Sequence, residues 1–241
     1  MSRSAAESVL DDICRGLADD VFLADQARRL LEELDGVIEA INRTGIGKQF
    51  FANLQIILQH ELILSVTRMY EPYSSRSPGR TLAAATHHIA ANAAKLPVLN
   101  RASLVEYLTS RGESRQTIEH LSDEGLSLTL ARRLGTYIPR PDASSARPLD
   151  KALDQLKLVR DKAIGHHDRV NHSSLLIPGW SHLVDLINTA RETVTLVAHA
   201  YLSVGYNLAS DASLGTHSLR GLLHRAGLGH GVSNNPDLSG Q

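Results

Sequence analysis

The sequence predicts an all-α fold, an antiparallel helical bundle with additional helices. Three observations carry this. Apolar residues recur at steps of three and four along nearly the whole chain. Alternating Val/Ile/Thr/Tyr runs flanked by Asn-Gly or Asp-Gly turns, the mark of hairpins, are absent. With 42% hydrophobic residues in 241, and only 17 glycines and 8 prolines, the chain has the material for a core and too few breakers for disorder.

The elements follow in order. A short N-terminal helix is expected over Ala5 to Leu17, within a segment 1–19. A second runs from about Asp20 to Asn42 and stops at Gly45 or Gly47. A third covers Lys48 to Tyr70, with Phe50, Leu54, Ile57, Leu58, Leu62, Ser65 and Met69 forming one broad stripe. Pro72 to Gly79 reads as a loop. Shorter helices are expected near Thr81–Lys95, Ser103–Ser110 and Gln116–Arg133. The stretch 136–148 holds Pro139, Pro141 and Pro148 and reads as an internal linker. Pro148 suits the first turn of a helix that continues to about Gly165. After a loop over Asp168 to Gly179, the last strong element runs from Trp180 to Leu208. Trp180, Leu183, Ile187, Ala190, Val194, Val197, Tyr201, Val204 and Leu208 alternate in steps of three and four, a seam of roughly 43 Å. Such a seam fits one helix of an antiparallel bundle, a subunit interface, or both. Residues 1–208 are thus expected to form a single all-helical domain. Residues 209–241 are expected to be a flexible tail with one weak helix over His217 to Ala226.

Charge and cysteine content exclude several function classes. The 25 basic and 26 acidic residues nearly cancel, so any nucleic-acid site must be a local patch. Residues 72–139 carry eight basic and five acidic side chains, against seven and twelve in residues 1–71. A single cysteine, Cys14, rules out a disulfide framework and a Cys-rich zinc module. Asp11, Asp12, Asp19 and Asp20 interrupt any secretory pattern at the start. Gln59, His60, Glu61 and Arg68 break the longest apolar stretch, Leu54 to Met69, so no membrane span is expected and the location is expected to be cytoplasmic.

The segment that carries chemistry is Leu158-Val159-Arg160-Asp161-Lys162-Ala163-Ile164-Gly165-His166-His167-Asp168. Its helix has an apolar stripe of Leu149, Leu153, Leu156, Ala163 and Ile164, and Arg160 falls in the middle of it. A packing-only sequence would place leucine there. A guanidinium on that face needs a carboxylate, a phosphate or a set of carbonyls. Asp161 points about 100° away on a regular helix, so it is no automatic partner. His166 lies on a different face of an unbroken helix, and His167 shares the face of Arg160 about 10 Å along the axis. A chain that ends or bends at Gly165 would bring His166 back toward Arg160, and a symmetric dimer would bring two such pairs together.

Arg160, Asp161 and His166 resemble the signature of the HEPN superfamily: an arginine, a polar residue, and a histidine four to six residues after the arginine. His167 satisfies the spacing too, and His166 is preferred. The wider stretch Arg160–Asp168 resembles the AbiU-like branch associated with abortive phage infection. Ser65-Val66-Thr67-Arg68-Met69-Tyr70-Glu71-Pro72, which ends a helix before a loop, is also similar to that branch. The resemblance implies a HEPN-like bundle and a metal-independent endoribonuclease of a toxin–antitoxin or phage-defence system. It further implies RNA as substrate, a homodimer with two motifs facing one cleft, and a cognate antitoxin protein. Arg160, His166 and Asp161 would be catalytic; Lys162, His167, Asp168 and Arg68 would contact substrate. Asp168 stands two residues past His166, where one superfamily variant carries a tyrosine that is adenylylated.

The residue types suit that chemistry. Cleavage by RNA's own 2′-hydroxyl needs a proton acceptor at that oxygen and a donor at the departing 5′-oxygen, and imidazole does either near neutral pH. A guanidinium holds two oxygens of the phosphorane-like transition state. The plainer alternative is a non-catalytic helical module for nucleotide, RNA or protein binding, in which Arg160 anchors an ion pair that fixes helix register. No cofactor or metal is expected. His87-His88 and His166-His167 are adjacent rather than spaced by three or four, and no His-Glu-x-x-His occurs. Gly45-Ile46-Gly47-Lys48 lacks phosphate-loop spacing. Arg68 and Glu71, three apart, are expected either to pair on the surface or to support the cleft.

Overall fold

The computed structural model describes residues 3–76, 79–165, 178–206, 208 and 212–228, and within these it is all-α, without strands. Ten α-helices are described: α1 (Ala5–Asp35), α2 (Ile38–Thr44), α3 (Lys48–Met69), α4 (Leu82–Ala91), α5 (Arg101–Ser110), α6 (Arg115–Glu119), α7 (Asp123–Tyr137), α8 (Pro148–Val159), α9 (Trp180–Val197) and α10 (Ala212–Arg225). α8 continues as a π-helical turn over Arg160–Gly165, and α9 as another over Ala198–Leu202.

The chain divides into two compact units. One comprises Met1–Ala24 and Ile63–Leu208, the other Asp25–Leu62 and Ala209–Gln241. In the first, Leu10, Leu17, Val66, Met69, Leu104, Leu126, Leu156, Leu186 and Val194 are buried core residues. α4 packs on α7, and α8 on α9. Arg111, the C-cap of α5, lies over the ring of Tyr137 on α7, 4.0 Å from its centroid, and its Nη2 donates to Glu192 of α9 at 3.0 Å. In the second unit, Leu31, Leu34, Ile41, Phe51, Leu58, Leu219 and Leu223 are buried. Asp25 accepts from Arg28 and Arg29, and Arg220 of α10 pairs with Glu33.

Several boundaries differ from the sequence reading, each for a local reason. The expected break near residue 19 is absent: α1 is continuous, because Leu17, Ala18 and Val21 are buried and no proline or unsatisfied group interrupts the ladder. It opens on a reciprocal cap, with Glu7 N–H donating to Ser4 Oγ and Ser4 N–H donating to Glu7 Oε2. The helix expected over Gln116–Arg133 is instead α6 and α7. Ser122 restarts the chain by accepting from Gly125 N–H. The last strong helix ends with Leu202, before Leu208, where Ser203 adopts a left-handed conformation at φ 49°. Its seam is filled within the protomer: Leu183, Ile187, Ala190, Val194, Val197 and Tyr201 are buried, whereas Trp180 is exposed. In α3, Leu58, Leu62, Ser65 and Met69 are buried, but Phe50 and Ile57 are exposed. Among the described residues, α3 is the helix long and apolar enough to cross a membrane by length and composition, with a mean hydropathy of 1.2 in its most apolar window. Its Ile63–Met69 end is built into the core of the first unit. Within the expected flexible tail, α10 is a helix with Leu219 and Leu223 buried.

Residues 138–147 connect α7 to α8, which has Pro148 in its first turn. This connection is tied down by the buried Asp150, which accepts from Arg140 N–H at 3.0 Å and from Ser145 Oγ at 2.7 Å.

Candidate functional site

α8 presents Ala152, Leu153, Leu156 and Val159 to the core, and Arg160 continues that face onto the π-helical turn. The side chain is mostly covered, 19% exposed. The covering is polar at the head: Nη1 donates to Glu71 Oε1 at 2.8 Å and Nε donates to Asp161 Oδ1 at 2.8 Å. Both carboxylates are themselves half exposed, at 46% and 48%. The guanidinium therefore rests its stem in the apolar stripe and brings its head to the surface.

The contact with Asp161 departs from the regular-helix expectation. A π turn holds more residues per turn than an α turn, so adjacent side chains are closer in azimuth, and neighbours at i and i+1 can meet. The same turn includes Lys162, which is exposed. His166, His167 and Asp168 lie outside the described residues.

The other side of the site comes from the end of α3. Thr67, Tyr70, Glu71 and Pro72 line a hollow together with Pro141, Leu153, Lys157 and Arg160. Its volume of about 10 Å³ holds about one water molecule. Tyr70 fixes this end: its ring is buried and its hydroxyl donates to the Leu186 carbonyl of α9 at 2.6 Å. Burial pushes the Tyr70 phenol well above its ordinary range, so it stays a neutral donor. The site thus joins two cations (Lys157, Arg160) with two carboxylates (Glu71, Asp161).

Arg68 is elsewhere engaged. It does not form the expected surface pair with Glu71; Nη2 pairs with Asp20 of α1 at 2.8 Å and donates to Ser65 Oγ at 3.0 Å. Glu71 lies past the end of α3 at Met69, so the i,i+3 helical spacing does not apply to it, and Arg68 is taken by Asp20. Glu71 pairs instead with Arg160, a partner the sequence reading did not name. One signal pointed to it. A carboxylate just past the C-terminus of a helix sits at the unfavourable end of the dipole and needs a cation to hold it there. Lys157 was not foreseen; it is one turn before Arg160, close to the same stripe.

Among the described residues, no group of three or more His, Cys, Asp and Glu side chains is arranged to hold a metal ion. Cys14 is buried, which raises its thiol to about 12 and leaves it without nucleophilic character at neutral pH. Compared with protein-family models, curated proteins and solved structures, the chain matches none.

Proposed function

We propose that this protein is a metal-independent endoribonuclease that takes an RNA phosphate on Arg160 and moves protons with His166, in a toxin–antitoxin or abortive-infection setting. The observation that supports it is the placement of Arg160: a guanidinium rooted in a leucine stripe, its head at the surface and met, among the described residues, by two half-exposed carboxylates. Ion pairs to such half-exposed carboxylates are each worth about 0.5 kcal/mol, a small return for an arginine set in an apolar stripe. A phosphate displaces them at small cost and gains a bidentate, charge-assisted contact. Asp161 holds Nε and orients the fork; Lys157 adds positive charge beside it, and Lys162 on the same turn would contact the strand.

The chemistry assigned to the site is transesterification. The 2′-oxygen attacks the adjacent phosphorus, the 5′-oxygen leaves with a proton, and the products are a 2′,3′-cyclic phosphate and a 5′-hydroxyl. Arg160 stabilises charge on the non-bridging oxygens. A homodimer would set two motifs against one strand, and a cognate antitoxin would cover them.

The test is cleavage of a mixed RNA by the purified chain in EDTA. Wild type should cut and leave 2′,3′-cyclic ends, while Arg160→Ala and His166→Ala should each lose at least about 10²-fold in rate. Cutting that requires added metal, or that survives both substitutions, contradicts the proposal.

A second reading has one observation in its favour. The hollow beside Arg160 admits about one water, and Glu71 already ties the end of α3 to the end of α8. In that reading Arg160 is an anchor within a non-catalytic binding module. Arg160→Ala would then lower the melting temperature and leave RNA binding unchanged.

A further inference from the structure

Two residues beyond Glu71, the chain places Tyr73, whose ring stacks on His87 of α4 with centroids 3.9 Å apart and planes 20° from parallel. Both rings are on the surface: Tyr73 is 38% exposed and His87 is exposed. Two residues of extended chain span at most about 7 Å, so the Cα of Tyr73 lies within that distance of the Cα of Glu71, whose carboxylate meets Arg160. Arg76, three residues further on, is exposed and without an ion pair among the described residues.

The geometry of the pair matters. An edge-to-face pair, such as Phe50 with Phe51 at 75°, presents a ring edge to one side. A stacked pair presents flat outer faces, and a third planar ring extends it without rearrangement. Burial in the core does not account for the stack, since His87 is exposed and more than a third of Tyr73 is open to solvent. Single-stranded RNA is read by this kind of surface: unstacked bases lie on aromatic side chains while nearby cations hold the backbone.

We infer that the Tyr73–His87 stack is a nucleobase platform for the RNA strand whose phosphate Arg160 takes. The inference rests on the RNA reading above and adds where the neighbouring base goes. Stacking accepts any base, so the platform contributes affinity and register rather than sequence preference. Arg76 lies on the same segment to meet the next stretch of backbone.

The test uses the full chain and two fluorescein-labelled single strands of 2′-O-methyl RNA, which cannot be cleaved by 2′-oxygen attack. One carries bases and the other is abasic over the same length. Tyr73→Ala should weaken binding of the base-bearing strand about tenfold. Tyr73→Phe should bind as wild type does, and His87→Ala should weaken binding less than Tyr73→Ala. On the abasic strand, wild type and Tyr73→Ala should bind alike. Equal binding of the base-bearing strand by wild type and Tyr73→Ala overturns the platform, and so does an equal loss on both strands. Arg160→Ala weakening both strands while Tyr73→Ala is silent removes the platform and leaves the RNA reading standing. Failure of wild type to bind either strand removes both. Thermal melts of each variant confirm that the loss is not one of folding.

Discussion

Arg160 stands where the helix pattern asks for leucine, and its neighbours explain how it is tolerated. The stem is packed, the head is met by Glu71 and Asp161, and neither carboxylate is buried. Glu71 therefore competes with any incoming phosphate. In Glu71→Gln the competitor is neutral, and RNA binding should strengthen about threefold, the equivalent of one exposed ion pair; fluorescence anisotropy at fixed salt checks this, and weaker binding would show that Glu71 positions Arg160 instead. A second residue-scale expectation concerns Asp11. Burial would raise its pKa, but hydrogen bonds from Tyr206 (2.6 Å) and Arg15, with the charges of Arg3 and Arg15, hold it below the ordinary carboxylate value. A lowered folded-state pKa contributes stability above the ordinary value near 3.9, and that contribution is lost as pH falls through the folded value. Below about pH 4 the wild-type melting temperature should thus fall more steeply than that of Asp11→Asn, and parallel curves would remove Asp11 from the acid limb.

At the scale of elements, side-chain caps and special backbone fix helix ends that periodicity alone places only to within a few residues. Thr81 accepts from Ala84 N–H and Asn100 from Ser103 N–H, and α2 stops at Gly45 with φ 71°. Ser122 is the instructive case. It splits what periodicity reads as one helix, because Leu126, Leu130 and Leu134 keep the three-and-four spacing beyond it while its hydroxyl restarts the backbone. Ser122→Ala should cost about 1 kcal/mol, which lowers the melting temperature by roughly 2–4 °C in a chain of this size; an unchanged melt would show the cap to be dispensable. The all-α class and the in-stripe position of Arg160 were legible because burial enforces period 3.6. The Arg160–Asp161 contact was not, since it depends on a π turn that no residue pattern announces. The Arg160–Glu71 pair was not legible: the sequence reading weighed Glu71 only with Arg68, and tertiary placement set Arg68 on Asp20 and Glu71 on Arg160.

For the molecule as a whole, the division into two units was hidden from the sequence because α1 and α3 each supply residues to both without a break in their patterns. With 25 basic against 26 acidic residues, no global field draws in a polyanion. RNA affinity must then come from a few local cations, and its salt dependence counts them. The most direct measurement is the slope of log binding constant against log salt for an uncleavable single-stranded RNA, compared between wild type and Arg160→Ala. If Arg160 meets a phosphate, the substitution should weaken binding and reduce the slope by about 0.7, the contribution of one neutralised charge on a single strand. Equal affinities and equal slopes in two folded proteins would contradict it.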